Sequence, residues 1–492
     1  MGSPKMEPVH YTPRQVPQRH EKRHRRNQGH EDRMKPAYQN FLARKAPRAQ
    51  SSGFEPKSLP DHLFDFQQEC VAFCIRQGRA GLYLDNGLGK TRCQLEWASQ
   101  AAEQSNGKAL LLTPLAVAKQ IEREARQLGY EARVIRDQSE ARDGINICNY
   151  DRLDKLDVHE FGAVSLDESS ILKSFNGKTC EALINSFAGH RFRLSATATP
   201  APNDHMELGN QSAFLGIMPA NEMLMRWFIN DTKEASQQWR LKRHAADDFW
   251  DWMASWSRMA QSPEDLGFDG SRYVLPPLNI IRHKAAGSNV KPMEGSLFVS
   301  DLSATNMHDI KRQTAKSRAE MIASLADNAD PFIVWTDTDY EADAVKAVMR
   351  DAIEVRGSMR IEQKEENLEA FALGQARVII TKPSVAGFGL NWQHAHSMGF
   401  VGRSFSYEAW YQAVRRSWRF GQTKPVNVHI AVAEGEDQIG RVIDRKATDH
   451  DIMRDAMTKS MRRAVNRAAA FKITYNPTHT GRIPSWLKSS VV

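Results

Sequence analysis

The stretch LYLDNGLGKT, residues 82–91, decides the fold. An apolar run that enters a Gly-rich loop and closes on Lys-Thr reads as a β-strand, a phosphate-binding turn and the first residues of a helix. Gly87 and Gly89, on either side of Leu88, free the backbone to bring its N–H groups close to an anion. Lys90 would meet the β- and γ-phosphates of ATP, and Thr91 would hold Mg2+. The helix that follows would present its positive end to the same charge. Leu84 stands where the usual pattern begins with Gly, and an ordinary Gly-rich turn before a helix has the same residues.

On both sides of this loop the chain alternates short apolar runs with helical stretches: AGLYLD, KALLLTP, ARVIR, INICNY, AVSLDE and FRLSAT. That alternation predicts an α/β fold with a parallel sheet covered by helices on both faces. A second series starts near residue 331 with PFIVWTD and continues through IEVRG, RVIITKP, MGFVG and VNVHIAV, which predicts a second lobe of the same kind. Residues 205–275 show no clear strand and hold Trp227, Trp239, Trp250, Trp252 and Trp256. A mainly helical insert is expected there, ended by the prolines of LPPL at 275–278. Its aromatics suit core packing better than stacking on bases.

Two further segments carry chemistry. In AVSLDESS, residues 163–170, an apolar strand delivers Asp167 and Glu168 at its end. One carboxylate can hold the magnesium ion while the other orients and deprotonates an attacking water. In YEAWYQAVRRSWRFGQ, residues 407–422, a continuous helix would place Gln412, Arg416 and Arg419 within about 60° of one another. Trp410, Val414 and Trp418 would form the opposite, packing stripe. Guanidinium groups so placed can stabilise charge on a transferring phosphoryl group; taken alone, a basic helix face is equally a solvated one.

The chain has 492 residues, enough for two or three domains with real cores. Nothing approaches a membrane-spanning run, no apolar leader follows Met1, and five scattered cysteines give neither a disulfide framework nor a zinc motif. A reducing, cytoplasmic compartment is expected. The formal charge is +8, with 67 basic and 59 acidic residues, and it is concentrated at the ends. Residues 1–57 hold 13 basic and 5 acidic residues, and residues 457–492 hold 7 basic and no acidic ones. Such arms suit a polyanion, and the same composition also suits a solvated tail. His20 and His24 lack a further ligand nearby and read as a solvated pair.

LDNGLGKT, DESS, SATATP, AGFGLN and QAVRRSWRFGQ, in this order, resemble the motifs of helicase superfamily two, the DEAD/DEAH-box class in the broad sense. Within it they look most like the SNF family of ATP-dependent DNA translocases. The compact length, AGFGLNWQ and FWDWMASW are similar to phage and prophage helicases. The resemblance spans about residues 60–435. It implies two RecA-like lobes, ATP and Mg2+ as cofactors, and double-stranded DNA as partner. It also implies roles for particular residues. Gln67 in FDFQQECVAF matches the glutamine that reads adenine, with Gln68 as the alternative. Thr113 and Pro114, and then Asn149 and Tyr150, match contacts to the nucleic-acid backbone. Ser195, Ala196 and Thr197 match the element that couples hydrolysis to the second lobe. Gly387, Gly389 and Asn391 match a loop that meets nucleotide and DNA. Gln412, Arg416 and Arg419 match the closing motif, with the arginines as fingers. Ser169 and Ser170 depart from the basic residue or histidine usual after the catalytic carboxylates.

The expected organisation is a basic arm at 1–57, an ATP-binding lobe at 58–204, a helical insert and linker at 205–285, a second lobe at 286–440, and a basic helical extension or tail at 441–492. The favoured function is a motor that moves on duplex DNA. A strand-separating DNA or RNA helicase shares every residue named, and an ATP-gated nucleic-acid-binding recruitment protein is the rival of a different class.

Overall fold

The computed structural model describes residues 49–173, 177–201, 205–231, 238–285, 310–326, 330–386, 390–432, 440, 443–448, 451–452, 455–460 and 462–463. Of the arm expected at 1–57, residues 49–57 instead belong to the first lobe, with Ser52 N donating to Gln77 O at 2.9 Å, Phe54 N to Ile75 O at 3.2 Å and Lys57 N to Gln100 Oε1 at 3.0 Å; residues 1–48, the pair His20 and His24, Gly387, Gly389 and the tail from 464 lie outside the described residues. The first lobe holds β1 (Arg79–Leu84), β2 (Lys108–Thr113), β3 (Ala132–Val134), β4 (Gly144–Asn149), β5 (Ala163–Asp167) and β6 (Phe192–Ala196). A small antiparallel pair follows, β7 (Phe228–Asp231) with β8 (Gln238–Leu241), and then β9 (Ser257–Ala260).

The large sheet runs β3-β4-β2-β5-β6-β1-β9 and is parallel throughout. Side chains alternate across it with period two. Leu82, Leu84, Ala109 and Leu111 enter one core with helices Asp65–Gln77, Lys90–Glu103 and Ala118–Gln127. Tyr83, Leu110, Leu112, Val164 and Leu166 enter the other with helix Glu207–Leu215. Both faces are covered, which is why these strands read as continuous apolar runs rather than alternating ones.

The segment 205–275 departs from expectation. It is not a helical insert without strands: helices Glu207–Leu215, Ala220–Trp227 and Ala246–Ala254 are joined by the β7–β8 hairpin, and β9 completes the edge of the first sheet beside β1. The first lobe therefore continues past residue 204. The strand was missed because SRMA carries one arginine and no β-branched residue, so only its place against β1 makes it a strand. The tryptophans are core: Trp227, Trp250, Trp252 and Trp256 are buried, and Trp239 packs against the same cluster.

The second lobe starts at β10 (Leu278–Lys284), earlier than residue 286, and continues with β11 (Phe332–Trp335), β12 (Ile353–Val355), β13 (Val378–Thr381), β14 (Ser397–Phe400) and β15 (Val426–Val432). Its order is β10-β15-β14-β11-β13-β12, again all parallel. One face packs Ile333, Trp335, Ile379, Met398 and Phe400 with Leu368 and Phe371 of helix Ile361–Ala372. The other packs Val334, Val378 and Ile380 with helices Ala315–Leu325 and Asp339–Val348. The architecture is α/β, two RecA-like lobes with parallel sheets flanked by helices. The C-terminal extension crosses between them: Ile443 is buried against Tyr407 and Tyr411, while Met457 is buried in the first lobe's core. Among the described residues no helix is long and apolar enough to cross a membrane.

Candidate nucleotide site between the lobes

The order β2-β5-β6-β1 brings four strand ends side by side, so Thr113, Asp167, Thr197 and Asp85 share the carboxyl edge of the first sheet. That edge is where open parallel sheets bind ligands. The loop after β1 turns tightly, with Gly87 at φ 93° and Gly89 at φ 79°. A side chain at Gly87 would begin 2.8 Å from the backbone N of Phe420, and one at Gly89 would begin 2.2 Å from Gln67 Nε2. Glycine is therefore required at both, by conformation and by space.

Lys90 opens helix Lys90–Glu103, and its buried ammonium donates to Leu84 O at 2.9 Å and to Asn86 Oδ1 at 3.4 Å. Burial pulls its pKa below the ordinary lysine value, while the charges of Glu168, Asp85 and Asp167 oppose that shift. Asp167 is gripped at both oxygens: Gln94 Nε2 donates to Oδ1 and Thr113 Oγ1 donates to Oδ2, each at 3.0 Å. Ser165 Oγ in turn donates to Gln94 Oε1 at 2.8 Å. Glu168 lies next to it with φ 52°, a left-handed backbone found at no other non-glycine residue among those described. Strain of this kind persists where the surroundings over-determine it, often at functional sites. Its buried carboxyl accepts from Thr197 Oγ1 at 3.3 Å. Burial, more than the neighbouring Asp167, raises its pKa above the usual glutamate value, while Lys90 and Arg416 work the other way.

The second lobe completes the site. Helix Tyr407–Val414 ends sooner than expected, and Arg415–Phe420 follow in tight turns, so Arg416 and Arg419 do not share a continuous helix face with Gln412. They still converge. Arg416 donates to Gln412 O at 3.0 Å, Gln412 Oε1 at 3.0 Å and Leu390 O at 2.9 Å, and Arg419 reaches the same Leu390 carbonyl at 3.4 Å. Arg419 Nε is buried with no hydrogen-bond partner. Both guanidinium pKa values are lowered, first by burial and then by the other arginines packed beside them. Arg416 is close enough to Glu168 for each to shift the other. Gln412 bridges the lobes, accepting from Asn86 Nδ2 at 3.2 Å and donating to Thr199 Oγ1 at 3.4 Å.

Other expected residues are placed differently. Gln67 is buried with both ends of its amide occupied: Oε1 accepts from Phe64 N at 3.0 Å and Nε2 donates to Leu88 O at 2.9 Å. It braces the loop in this state, and reading a base would exchange those bonds. Gln68 Nε2 donates to Leu63 O at 3.1 Å. Thr113 is fully buried and serves Asp167. Tyr150 OH donates to Asp167 O at 2.6 Å, and Asn149 caps the short helix after it through Asp151 N. Ser195 is buried and shares a hydrogen bond with Tyr83 at 3.1 Å. Pro114 is half-buried ahead of a 3-10 turn, and Asn391 is exposed. Thr91 is half-buried one residue into the helix.

Sequence reasoning did not single out Gln94, Asp85, Tyr411 or Arg415. Gln94 lies one helical turn after Lys90, on the same face, which is the signal that could have found it. The other three have partners on the opposite lobe, which no local pattern reveals.

No protein-family model matches the chain, and no curated protein matches it. A solved structure, the Sulfolobus solfataricus SWI2/SNF2 ATPase core in complex with double-stranded DNA, is similar at 16% identity over 85% of this chain and 99% of that one, with a TM-score of 0.38.

Proposed function

We propose that the chain is an ATP-dependent motor on double-stranded DNA, hydrolysing Mg-ATP between its two lobes. The observation that carries the reading is the convergence of Lys90, Asp167 and Glu168 from one lobe with Arg416 and Arg419 from the other. The residues fit a nucleotide. Glycines at positive φ open the loop backbone, a lysine and two arginines lie buried together, and Arg419 Nε has no partner of its own. They also fit a divalent cation, since the carboxylate of Asp167 is held in place by two neutral donors, Gln94 and Thr113, at the strand end. When bound, Mg2+ would offset the negative charge of the phosphates.

The roles divide by position. The loop Gly87–Lys90 and the helix N-terminus cradle phosphate. Thr91 and Asp167 would hold the metal. Glu168 orients water and takes its proton, helped by a pKa shifted toward neutrality. Arg416 and Arg419 stabilise the transferring group, so chemistry depends on lobe closure. Gly387, Gly389 and Asn391 are proposed to meet both nucleotide and DNA, as the family resemblance implies. Backbone contacts suit a motor that must tolerate any sequence, and the basic arms at 1–48 and 441–492 would add salt-sensitive holding.

ATP turnover measured with duplex DNA, single-stranded DNA and RNA tests the reading. Duplex DNA should stimulate most, and Lys90→Ala should abolish the stimulated rate. Stimulation by RNA alone rejects the assignment. Triplex displacement without duplex unwinding separates a translocase from a strand-separating helicase.

A further inference from the structure

We propose that Asp85 and Arg415 form a buried clasp across the cleft that positions Arg416 and Arg419 for hydrolysis; this deepens the motor reading and rests on it. Asp85 directly follows β1 and opens the phosphate-binding loop, and Arg415 directly follows helix Tyr407–Val414, 330 residues later. Arg415 Nη2 donates to Asp85 Oδ2 at 2.6 Å and to Asn86 O at 3.1 Å. Tyr411 OH donates to the other carboxylate oxygen at 2.6 Å. The two ion-pair side chains are 4% and 11% exposed. The Arg415 guanidinium also lies 5.0 Å from the Trp418 ring centre. Behind Tyr411, the C-terminal extension presses Ile443 against the ring.

Among the described residues, the other interlobe ion pairs each have at least one end in solvent: Lys173, paired with the buried Glu408, is 41% exposed. Lys119 with Glu365 and Arg123 with Glu369 join surface helices, where an ion pair contributes little. The clasp instead joins the loop that would hold phosphate to the peptide unit that carries Arg416. Fixing Arg415 against Asp85 fixes the register of the next residue, whose guanidinium is already tied to Gln412 and Leu390. The carboxylate lies on one lobe and the guanidinium on the other, both largely removed from water, so the bonds between them form only when the lobes are together. Arg415 and Asp85 are positioning residues; the transferring phosphoryl group is the concern of Arg416 and Arg419.

The test is a cycle of Asp85→Asn, Arg415→Gln and both together in the full chain. Its readouts are kcat and KM for DNA-stimulated ATP hydrolysis, affinity for a fluorescent ATP analogue, and the melting temperature. Each single variant should lower kcat about 100-fold, the scale of a misplaced catalytic group, with analogue affinity near that of the unaltered chain. The double variant should be no slower than either single one, because each removes the same clasp. Multiplying effects, an unchanged kcat, or a loss confined to analogue affinity would overturn the proposal. If a variant that removes a charge melts early, Tyr411→Phe removes one hydrogen bond to the same carboxylate and keeps the ring. It should lower kcat without raising KM, and an unaltered kcat there also overturns the clasp. An unaltered chain with no DNA-stimulated turnover would instead refute the motor reading beneath it.

Discussion

Thr113→Val exchanges a hydroxyl for a methyl group of nearly the same volume at a fully buried position, so it removes one hydrogen bond without opening a cavity. The bond lost is the 3.0 Å donation to Asp167 Oδ2, while Gln94 still holds Oδ1. A hydrogen bond to a charged group contributes about 1.5–3 kcal/mol. If that contribution keeps the carboxylate aimed at a bound cation, its loss should raise the half-saturating Mg2+ concentration about 10- to 100-fold. The assay is ATP turnover at saturating DNA, titrated with MgCl2 and repeated with MnCl2. At saturating Mg2+ the rate should recover most of its unaltered value, and the DNA concentration for half-maximal stimulation should stay put. The opposite pattern, unchanged Mg2+ dependence with weakened DNA stimulation, would refute this reasoning and return Thr113 to the nucleic-acid contact that the family resemblance implies.

The pH profile has a sign set by burial. Glu168 must be ionised to accept a proton, and its raised pKa means that kcat/KM should begin to fall, as pH drops, above the ordinary glutamate value of about 4.3; an acid limb at or below that value contradicts the assignment. Lys90 carries the opposite shift, so phosphate affinity should weaken, as pH rises, at a lower pH than the ordinary lysine pKa of about 10.4 would give, which a nucleotide-binding titration reads. Gly87→Ala puts a Cβ at φ 93° and 2.8 Å from the Phe420 backbone, costing about 1–2 kcal/mol in conformation alone and wedging the lobes apart. Small-angle scattering should show an expanded particle with lost turnover, and an unchanged radius would count against the tight packing. In the second lobe Arg318 and Glu341 pair at 3.0 Å with both side chains fully buried. Glu341→Ala should cost about 3–5 kcal/mol in denaturant unfolding of that lobe, and a loss no larger than that of a surface pair would show the charge to be relieved otherwise.

What the sequence determined by itself was everything carried by local pattern. Short apolar runs alternating with helical stretches announce parallel strands, so β1 to β6 and β11 to β15 were legible, as was the Gly-rich loop at Gly87–Thr91. Asp167 and Glu168 were legible because a strand end delivers them. β9 and β10 were not read: SRMA does not look like a strand, and LNIIRHK is an exposed edge strand, each placed by the open edge that β1 or β15 offers. Nor could the pattern show that helix Tyr407–Val414 stops before its arginines, since capping and cross-lobe partners decide where it ends. Tertiary structure alone decided which polar groups meet. Thr113 faces Asp167, Gln67 braces Leu88, and Asp85 holds Arg415 because sheet order and lobe closure set those distances. Electrostatic and hydrogen-bonding partners separated by hundreds of residues leave no periodic trace in the chain, yet they fix the direction in which each functional group points.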